Sequence, residues 1–263
     1  MLQIALQPGK KDQLYQAFEY DADNRLRRTY SSWDSIIWEE EARYFYYRHG
    51  PLARLELGPD KSQGLDYQYT LQGWIKGVNG IGFQNKSFEP GKDSDPSNTN
   101  INKLVARDAA AYNIGYNSSD YKPIKSSLLF GLAKPDLTWP KFTSILSSNS
   151  TDKGLYNGNI TYLLKQYPGA VGFTDSIYAQ TFRYDQLHRI NTDSTYLFSN
   201  TSGFWANSPK HSSSYAYDAN GNLTKLSRFG ISTTSAIDSL NYYYNSSLRP
   251  NLLSSVTDNV SPT

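Results

Sequence analysis

Cysteine is absent from the 263 residues, and methionine occurs only as Met1. Without thiols there is no disulfide, no thiolate chemistry and no Cys-ligated zinc, although the compartment is left open. Only three histidines occur, His49, His188 and His211. None has a histidine or carboxylate at a metal-ligand spacing such as H-x-x-x-H. No apolar run reaches the ~18 residues of a helical membrane span. The N-terminus lacks a leading positive region and has too short an apolar run for a signal peptide. Neither sign of charge dominates: 26 basic residues face 24 acidic ones, for a net charge of +2. No basic tract stands out, which argues against a nucleic-acid groove or a polybasic membrane anchor. Nucleophile elbow, P-loop and dinucleotide fingerprint are missing too. Residues Gly77-Val78-Asn79-Gly80-Ile81-Gly82 are Gly-rich without the required spacing and read as a flexible turn. No metal and no cofactor is expected.

What the chain has instead is tyrosine: 22 Tyr, with 11 Phe and 5 Trp. Many of these aromatics belong to one repeated phrase, aromatic-x-Tyr-Asp-x-x-Gly-x-Leu. Its clearest copy is Tyr215-Ala216-Tyr217-Asp218-Ala219-Asn220-Gly221-Asn222-Leu223. Two copies keep the Tyr-Asp pair, one on Phe18, Tyr20, Asp21, Asn24 and Leu26, the other on Phe182, Tyr184, Asp185, His188 and Ile190. Two more keep the frame without the aspartate, on Tyr44, Tyr46, Gly50 and Leu52 and on Tyr67, Tyr69, Gly73 and Ile75. Repeats a few tens of residues apart signal an array of supersecondary units.

Aromatics two apart share one face of a strand. The Asp-x-x-Gly that follows has the residues of a type I turn, with the Asp side chain bonding the backbone two residues on. A left-handed residue after that turn makes the three-residue hairpin with a bulge. The last turn position is Gly50, Gly73 or Gly221, and elsewhere Asn24 or His188, types enriched at positive φ. The recurring aspartates 21, 185 and 218 therefore read as turn chemistry rather than as a catalytic set. The Glu39-Glu40-Glu41 run reads as a solvated charge run, because adjacent strand residues point to opposite faces.

Coarse organisation follows. Residues 1–80 read as hairpins, with Leu52-Ala53-Arg54-Leu55-Glu56-Leu57 alternating apolar and polar as a half-buried strand does. Residues 81–153 read as a loop-rich insertion: a polar excursion over 89–100, a possible short helix over 101–111 capped by Asn102, and a second loop over 144–153. Residues 154–263 resume the array, with a hairpin around Asn157-Gly158 and a longer-looped copy from Tyr242-Tyr243-Tyr244-Asn245 to Leu252-Leu253. No cap follows, so the array is expected to continue in a parent protein. The fold class is all-β, an array of antiparallel β-hairpins forming a curved sheet.

Tyr20-Asp21-Ala22-Asp23-Asn24-Arg25-Leu26, Tyr184-Asp185 through Ile190 and Tyr217-Asp218 through Leu223 resemble the bacterial RHS/YD-repeat family. Connecting phrases such as His49-Gly50-Pro51-Leu52-Ala53-Arg54 and Leu155-Tyr156-Asn157-Gly158-Asn159-Ile160 are similar to it as well. The resemblance is weakest over 80–150. It implies a strip of hairpins spiralling into a hollow β-shell that encloses a C-terminal effector or toxin, in a polymorphic toxin or a cell-surface protein. This chain would then be part of the repeat shell, extracellular or at the cell surface, within a larger protein. No core segment with the paired aspartates of self-cleavage and no variable effector is visible. The match gives Tyr20, Asp21, Tyr46, Gly50, Tyr69, Gly73, Tyr184, Asp185, Tyr217, Asp218 and Gly221 structural roles.

The expected function is therefore a non-enzymatic structural segment whose partner is an enclosed polypeptide of the parent protein. The alternative is a carbohydrate-binding or adhesive module that stacks surface glycans on exposed aromatics, with Trp74 and Trp205 as first candidates among Trp33, Trp38, Trp74, Trp139 and Trp205. Packing between hairpins is the simpler use of those rings.

Overall fold

The structure, a computed structural model, describes residues 1–81, 90–95, 101–117, 157–167, 176–199, 204–230, 236–245 and 250–260. The second loop expected over 144–153, Tyr156 and Trp139 lie outside the described residues, as does the side chain of Trp205.

The described residues contain strands and no helix. In chain order the strands are β1 (Leu2–Leu6), β2 (Leu14–Tyr20), β3 (Leu26–Ser32), β4 (Glu39–Tyr46), β5 (Leu52–Leu57), β6 (Gln63–Tyr69), β7 (Ile75–Val78) and β8 (Ala111–Gly115). They continue with β9 (Tyr162–Tyr167), β10 (Ser176–Tyr184), β11 (Ile190–Ser199), β12 (Phe204–Tyr217), β13 (Leu223–Phe229), β14 (Ala236–Tyr244) and β15 (Leu253–Asp258). Each strand is hydrogen-bonded to the next in sequence, without a crossover. The pairs from β1 to β8 and from β10 to β15 are antiparallel. The expected all-β array of antiparallel hairpins is thus what the chain forms. It divides into two compact units, one including Met1–Asn113 and the other including Asp175–Thr263.

Each copy of the repeat builds its hairpin the same way. The register shifts at the tyrosine, between Glu19 and Tyr20, Phe45 and Tyr46, Gln68 and Tyr69, Arg183 and Tyr184, and Ala216 and Tyr217. Each of these tyrosines then faces the Leu or Ile six residues on. The residue four after the tyrosine has positive φ in all five: Asn24 at 60°, Gly50 at 117°, Gly73 at 85°, His188 at 62° and Gly221 at 90°. This is the bulged three-residue hairpin that a type I turn plus one left-handed residue makes. The C-terminal copy keeps the plan across a longer loop, with Tyr244 facing Leu253 and the shift between Tyr243 and Tyr244.

The stretch 101–111, read as a possible short helix, is a turn that leads into β8. Its backbone is taken by other partners: Val105 N donates to Asn102 O, Ala106 N to Lys61 O and Ala109 N to Gln63 Oε1. Asn102 turns its side chain back to Gly91 O at 2.8 Å instead of capping a helix. Further on, β8 pairs with β7 through Gly77 with Asn113 and Val78 with Tyr112, a strand that the sequence reading did not place.

The interior is polar. Among the described residues, the buried hydrophobics are mostly small or single, such as Ala17, Ala42, Val78 and Val105 in the first unit and Leu164, Ile177 and Ala179 in the second. Buried polar and charged side chains outnumber them, fifteen to eleven. Ladder hydrogen bonds and polar contacts therefore carry a larger share here than in an apolar sandwich. The turn geometry makes a test. Gly221→Val, at φ 90° where a branched side chain strains, should destabilise by more than about 1 kcal/mol. Asn24→Gly, at φ 60°, should stay near neutral. Urea denaturation of the two variants reads the difference, and equal losses would mean that φ at this position is not the constraint.

Candidate functional site

Two constellations stand out: a unit that recurs at the hairpin turns, and a buried charge cluster in the first unit. The recurring unit starts at the aspartate. Asp21 Oδ1 accepts from the N–H groups of Asp23 and Arg25, each at 2.9 Å, while Oδ2 accepts from Arg25 Nε at 2.8 Å. Asp185 does the same with Leu187, Arg189 and Arg189 Nε, at 2.8, 3.0 and 2.6 Å. Asp218 does it with Asn220, Asn222 and the Asn222 amide, at 2.9, 2.8 and 2.8 Å. These donors hold all three carboxyls below the usual carboxylate range. The backbone N–H of Arg25 and of Arg189 leads at Asp21 and Asp185, and the Asn222 side chain leads at Asp218.

The tyrosine reaches the other way, to the preceding hairpin. Tyr46 Oη donates to Leu26 O at 2.7 Å, Tyr184 Oη to Ile160 O at 2.8 Å, Tyr217 Oη to Ile190 O at 2.9 Å and Tyr244 Oη to Leu223 O at 3.0 Å. Leu26, Ile190 and Leu223 are the last residues of the repeat phrase itself, so one copy's tyrosine closes on the final Leu or Ile of the previous copy. The arginine held by the previous aspartate covers the ring: Arg25 lies 4.7 Å from the centre of Tyr46, and Arg189 lies 4.6 Å from the centre of Tyr217. Aspartate, arginine and the next tyrosine form one relay from hairpin to hairpin. Burial raises the phenol pKa of Tyr46, Tyr184 and Tyr217, which keeps the hydroxyl a donor.

Where the aspartate is missing, the relay changes partner. Tyr47 stands in the Asp position, and its hydroxyl donates forward to Tyr67 O at 2.8 Å. Its ring stacks on His49 at 5.3 Å and meets Tyr69 edge-on at 6.4 Å. In the next copy, Thr70 Oγ1 accepts from Trp74 N at 3.2 Å. Trp74 occupies the place of Arg25 and Arg189 in the phrase and is 37% exposed. Trp33 is more open, at 68%. Tyr20, Tyr69, Gly50 and Gly73 sit at the hairpin positions described above. Trp205 lies in β12, far in sequence from Trp74, and in the other unit.

The buried cluster decides which face of β5 is inside. In the alternating Leu52–Leu57 stretch, Arg54 and Glu56 are buried, at 8% and 4%, while Leu55 and Leu57 are half-buried. The reason is an arriving carboxylate. Arg54 Nη2 meets Asp93 Oδ1 at 2.6 Å, Nη1 meets Asp66 Oδ2 at 2.5 Å and Nε meets Glu56 Oε1 at 3.2 Å. Lys61 Nζ approaches Glu56 Oε2 at 3.5 Å. Asp66 N donates to Asn79 Oδ1 at 2.8 Å, which fixes the strand that carries it. Gly64 and Gly91 leave the room: a Cβ on Gly64 would collide with Asp93 and Arg54, and one on Gly91 with Arg54 and Asp66. Nothing in the composition or the repeat phrase announced Asp93, which lies 39 residues from Arg54 in a polar stretch.

Arg54 thus meets three carboxylates, and Lys61 approaches one of them. Burial raises the pKa of Asp66 more than Arg54 lowers it, and raises Asp93 to about 6 against the same opposing charge. Burial opposes the Arg54 charge as well, but Asp66 and Asp93 outweigh it and hold the guanidinium above its ordinary value. Each Arg54 nitrogen is committed to a carboxylate, so the guanidinium ties together Glu56 of its own strand, Asp66 of β6 and Asp93. No group of three or more His, Cys, Asp or Glu side chains suited to a metal occurs among the described residues.

The relay and the cluster each make a prediction. Tyr217→Phe should cost about 1 kcal/mol by losing one hydrogen bond. Tyr217→Leu should cost roughly 0.5–1 kcal/mol more, because the ring under Arg189 goes too; urea midpoints of the two variants separate the terms. For Asp93, the folded value of about 6 lies above the ordinary 3.8. Its contribution to stability is therefore full below 3.8 and is lost as pH rises to about 6. The depressed aspartates contribute with the opposite sign, but they are common to wild type and variant. Relative to the wild type, Asp93→Asn should gain stability as pH rises through that window. A pH-independent difference between their denaturation midpoints would show that Asp93 does not take up the proton.

No protein-family model matches the sequence, and no curated protein matches it significantly. Solved structures with a partly similar chain path include a Tc holotoxin pore from Photorhabdus luminescens and a TcdB2–TccC3 structure without the hypervariable C-terminal region. The first is 10% identical over 95% of this chain and 10% of the solved chain; the second is 9% identical over 95% and 11%. Both have a TM-score of 0.34. The chain thus spans about a tenth of the length of either solved chain, and likeness at this level assigns it neither fold nor function.

Proposed function

We propose that this chain is a non-enzymatic wall segment of an RHS/YD-repeat protein, a strip of hairpins that helps enclose a polypeptide of a larger extracellular or cell-surface protein. The observation that carries this reading is the relay: tyrosine after tyrosine donates to the closing residue of the hairpin before it. Such a bond gives each hairpin a defined place against its neighbour, which is what a wall of repeated units requires. The charged cluster fits the same role, because Arg54 draws Glu56, Asp66 and Asp93 together around one guanidinium. Enclosure, effector and export all belong to this reading of the whole protein.

A second reading, a glycan-binding surface, is favoured by the partial exposure of Trp74. It is weaker, because Trp74 stands where other copies place the arginine that covers the next tyrosine.

Limited proteolysis of the intact protein that carries this chain tests the first reading. An enclosed polypeptide should resist protease in the wild type. It should become cleavable when Tyr184, Tyr217 and Tyr244 are all changed to Phe. A polypeptide that is cut freely in the wild type would overturn enclosure. Glycan binding by the purified chain that disappears in Trp74→Ala would move the assignment to the second reading, and hydrolytic turnover lost in Asp66→Asn would end the structural one.

A further inference from the structure

Three Asn-Gly steps occur in the chain, at 79–80, 157–158 and 220–221. Such steps are where a backbone nitrogen meets least steric hindrance on its way to the preceding side-chain amide, since glycine has no Cβ. The fold treats the three differently. Asn79 is fully buried, and both ends of its amide are engaged, Oδ1 by Asp66 N at 2.8 Å and Nδ2 by Ala110 O at 2.9 Å. At the third step, Gly221 N donates to Asp218 O at 3.1 Å, so the nucleophilic nitrogen is committed to the turn.

The middle step is arranged the opposite way. Asn157 is exposed. Its Oδ1 accepts from Asn159 N at 3.1 Å, and its Nδ2 lies 2.9 Å from His188 Nδ1. Gly158 holds φ at 86°, and its N–H makes no hydrogen bond among the described residues. The amide carbonyl is thus polarised by a donor, the leaving nitrogen touches an imidazole, and the attacking nitrogen is uncommitted among the described residues. An imidazole can give and take a proton near neutral pH, and a donor placed on a carbonyl oxygen stabilises the charge that develops there on attack.

We propose that Asn157-Gly158 is a self-modification site at which His188 assists deamidation through a succinimide. Gly158 N bonds to Asn157 Cγ and loses its proton to water. The Asn159 N–H steadies the oxygen of the tetrahedral intermediate. His188 passes a proton to Nδ2, the Cγ–Nδ2 bond breaks, and ammonia leaves. One water then opens the five-membered imide at either carbonyl, giving aspartate or isoaspartate at 157. No oxidant, cofactor or second protein is needed. The aspartate product supplies the residue type that caps the turns at 21, 185 and 218, and it sets a carboxylate beside His188. The isoaspartate product inserts one extra backbone carbon three residues before Ile160, whose carbonyl accepts from Tyr184.

Peptide mapping by mass spectrometry of the folded chain, aged near neutral pH, tests this directly. Asn157 should convert at least about tenfold faster than Asn220, and Asn79 should stay intact. In denaturant, Asn157 and Asn220 should converge. His188→Asn keeps a residue suited to φ 62°, as Asn24 is in another copy, but cannot shuttle a proton. It should slow conversion at 157 by about tenfold to 100-fold and remove the inflection from its pH–rate profile, while leaving Asn220 unchanged. A merely structural role for His188 would loosen the turn and change the rate without touching the profile. Equal native rates at 157 and 220, or an unaltered rate in His188→Asn, would overturn the proposal.

Discussion

The bond that Tyr46, Tyr184, Tyr217 and Tyr244 each send from the hydroxyl to the closing carbonyl of the preceding hairpin is the constraint on which the rest of the arrangement depends. To make it, the phenol must leave the plane of its own ladder and lie over the neighbouring turn. A bulge does this, because it adds local twist and re-aims the side chain at that point. The register shift falls at the tyrosine in every copy, and at Tyr46, Tyr184, Tyr217 and Tyr244 it accompanies this bond. The bulge in turn needs a left-handed residue to close the turn, and that is why position +4 is Gly, Asn or His in the five short-looped copies. The aspartate locks the same turn from inside and holds the arginine that covers the next ring. Sequence motif, backbone shape and contact between repeats are therefore one requirement expressed three times.

This economy explains how the described strands hold together with so few buried large aliphatics among them. Hydrogen bonds are individually modest, since each replaces a bond to water. They become effective when one group serves two purposes. Asp21 both caps a turn and aims Arg25; Arg25 both neutralises Asp21 and shields Tyr46. Tyrosine suits the role because its ring supplies apolar area while its tip remains polar.

Much of this was legible in the sequence, because the hairpin is local. The Asp-x-x-Gly turn, the bulge and the positive φ are set by residues within seven positions of one another, and turn chemistry has sharp residue preferences. The antiparallel order followed from the repetition itself. What could not be read depends on distant partners. The burial of Arg54 and Glu56 could not be read from β5, because alternation reports only that two faces differ, not which is buried. Asp93 decides it, and no local pattern ties Asp93 to Arg54. The supposed helix over 101–111 failed for the same reason: Lys61 O and Gln63 Oε1 took backbone donors that a helix would have kept for itself. The tyrosine was recognised as a strand residue, but its reach into the preceding hairpin had no signature within a single copy.

The copy around Tyr46 shows that what the fold preserves is the connection rather than the residue that makes it. Without an aspartate at 47 there is no held arginine to cover the next tyrosine, and Pro51 stands where Arg25 or Arg189 would be. The substituted residue is itself a tyrosine, and it restores the link in the opposite sense, from Tyr47 Oη to the carbonyl of Tyr67 in the hairpin that follows. Its ring, packed edge-on against Tyr69, does what the arginine does elsewhere. Two different chemistries thus converge on one geometric result, a hydroxyl of one hairpin on a carbonyl of its neighbour. A search for such repeats by the Tyr-Asp pair alone would miss this copy, whereas a search for a phenol at the end of one strand and a left-handed residue four places later would find it.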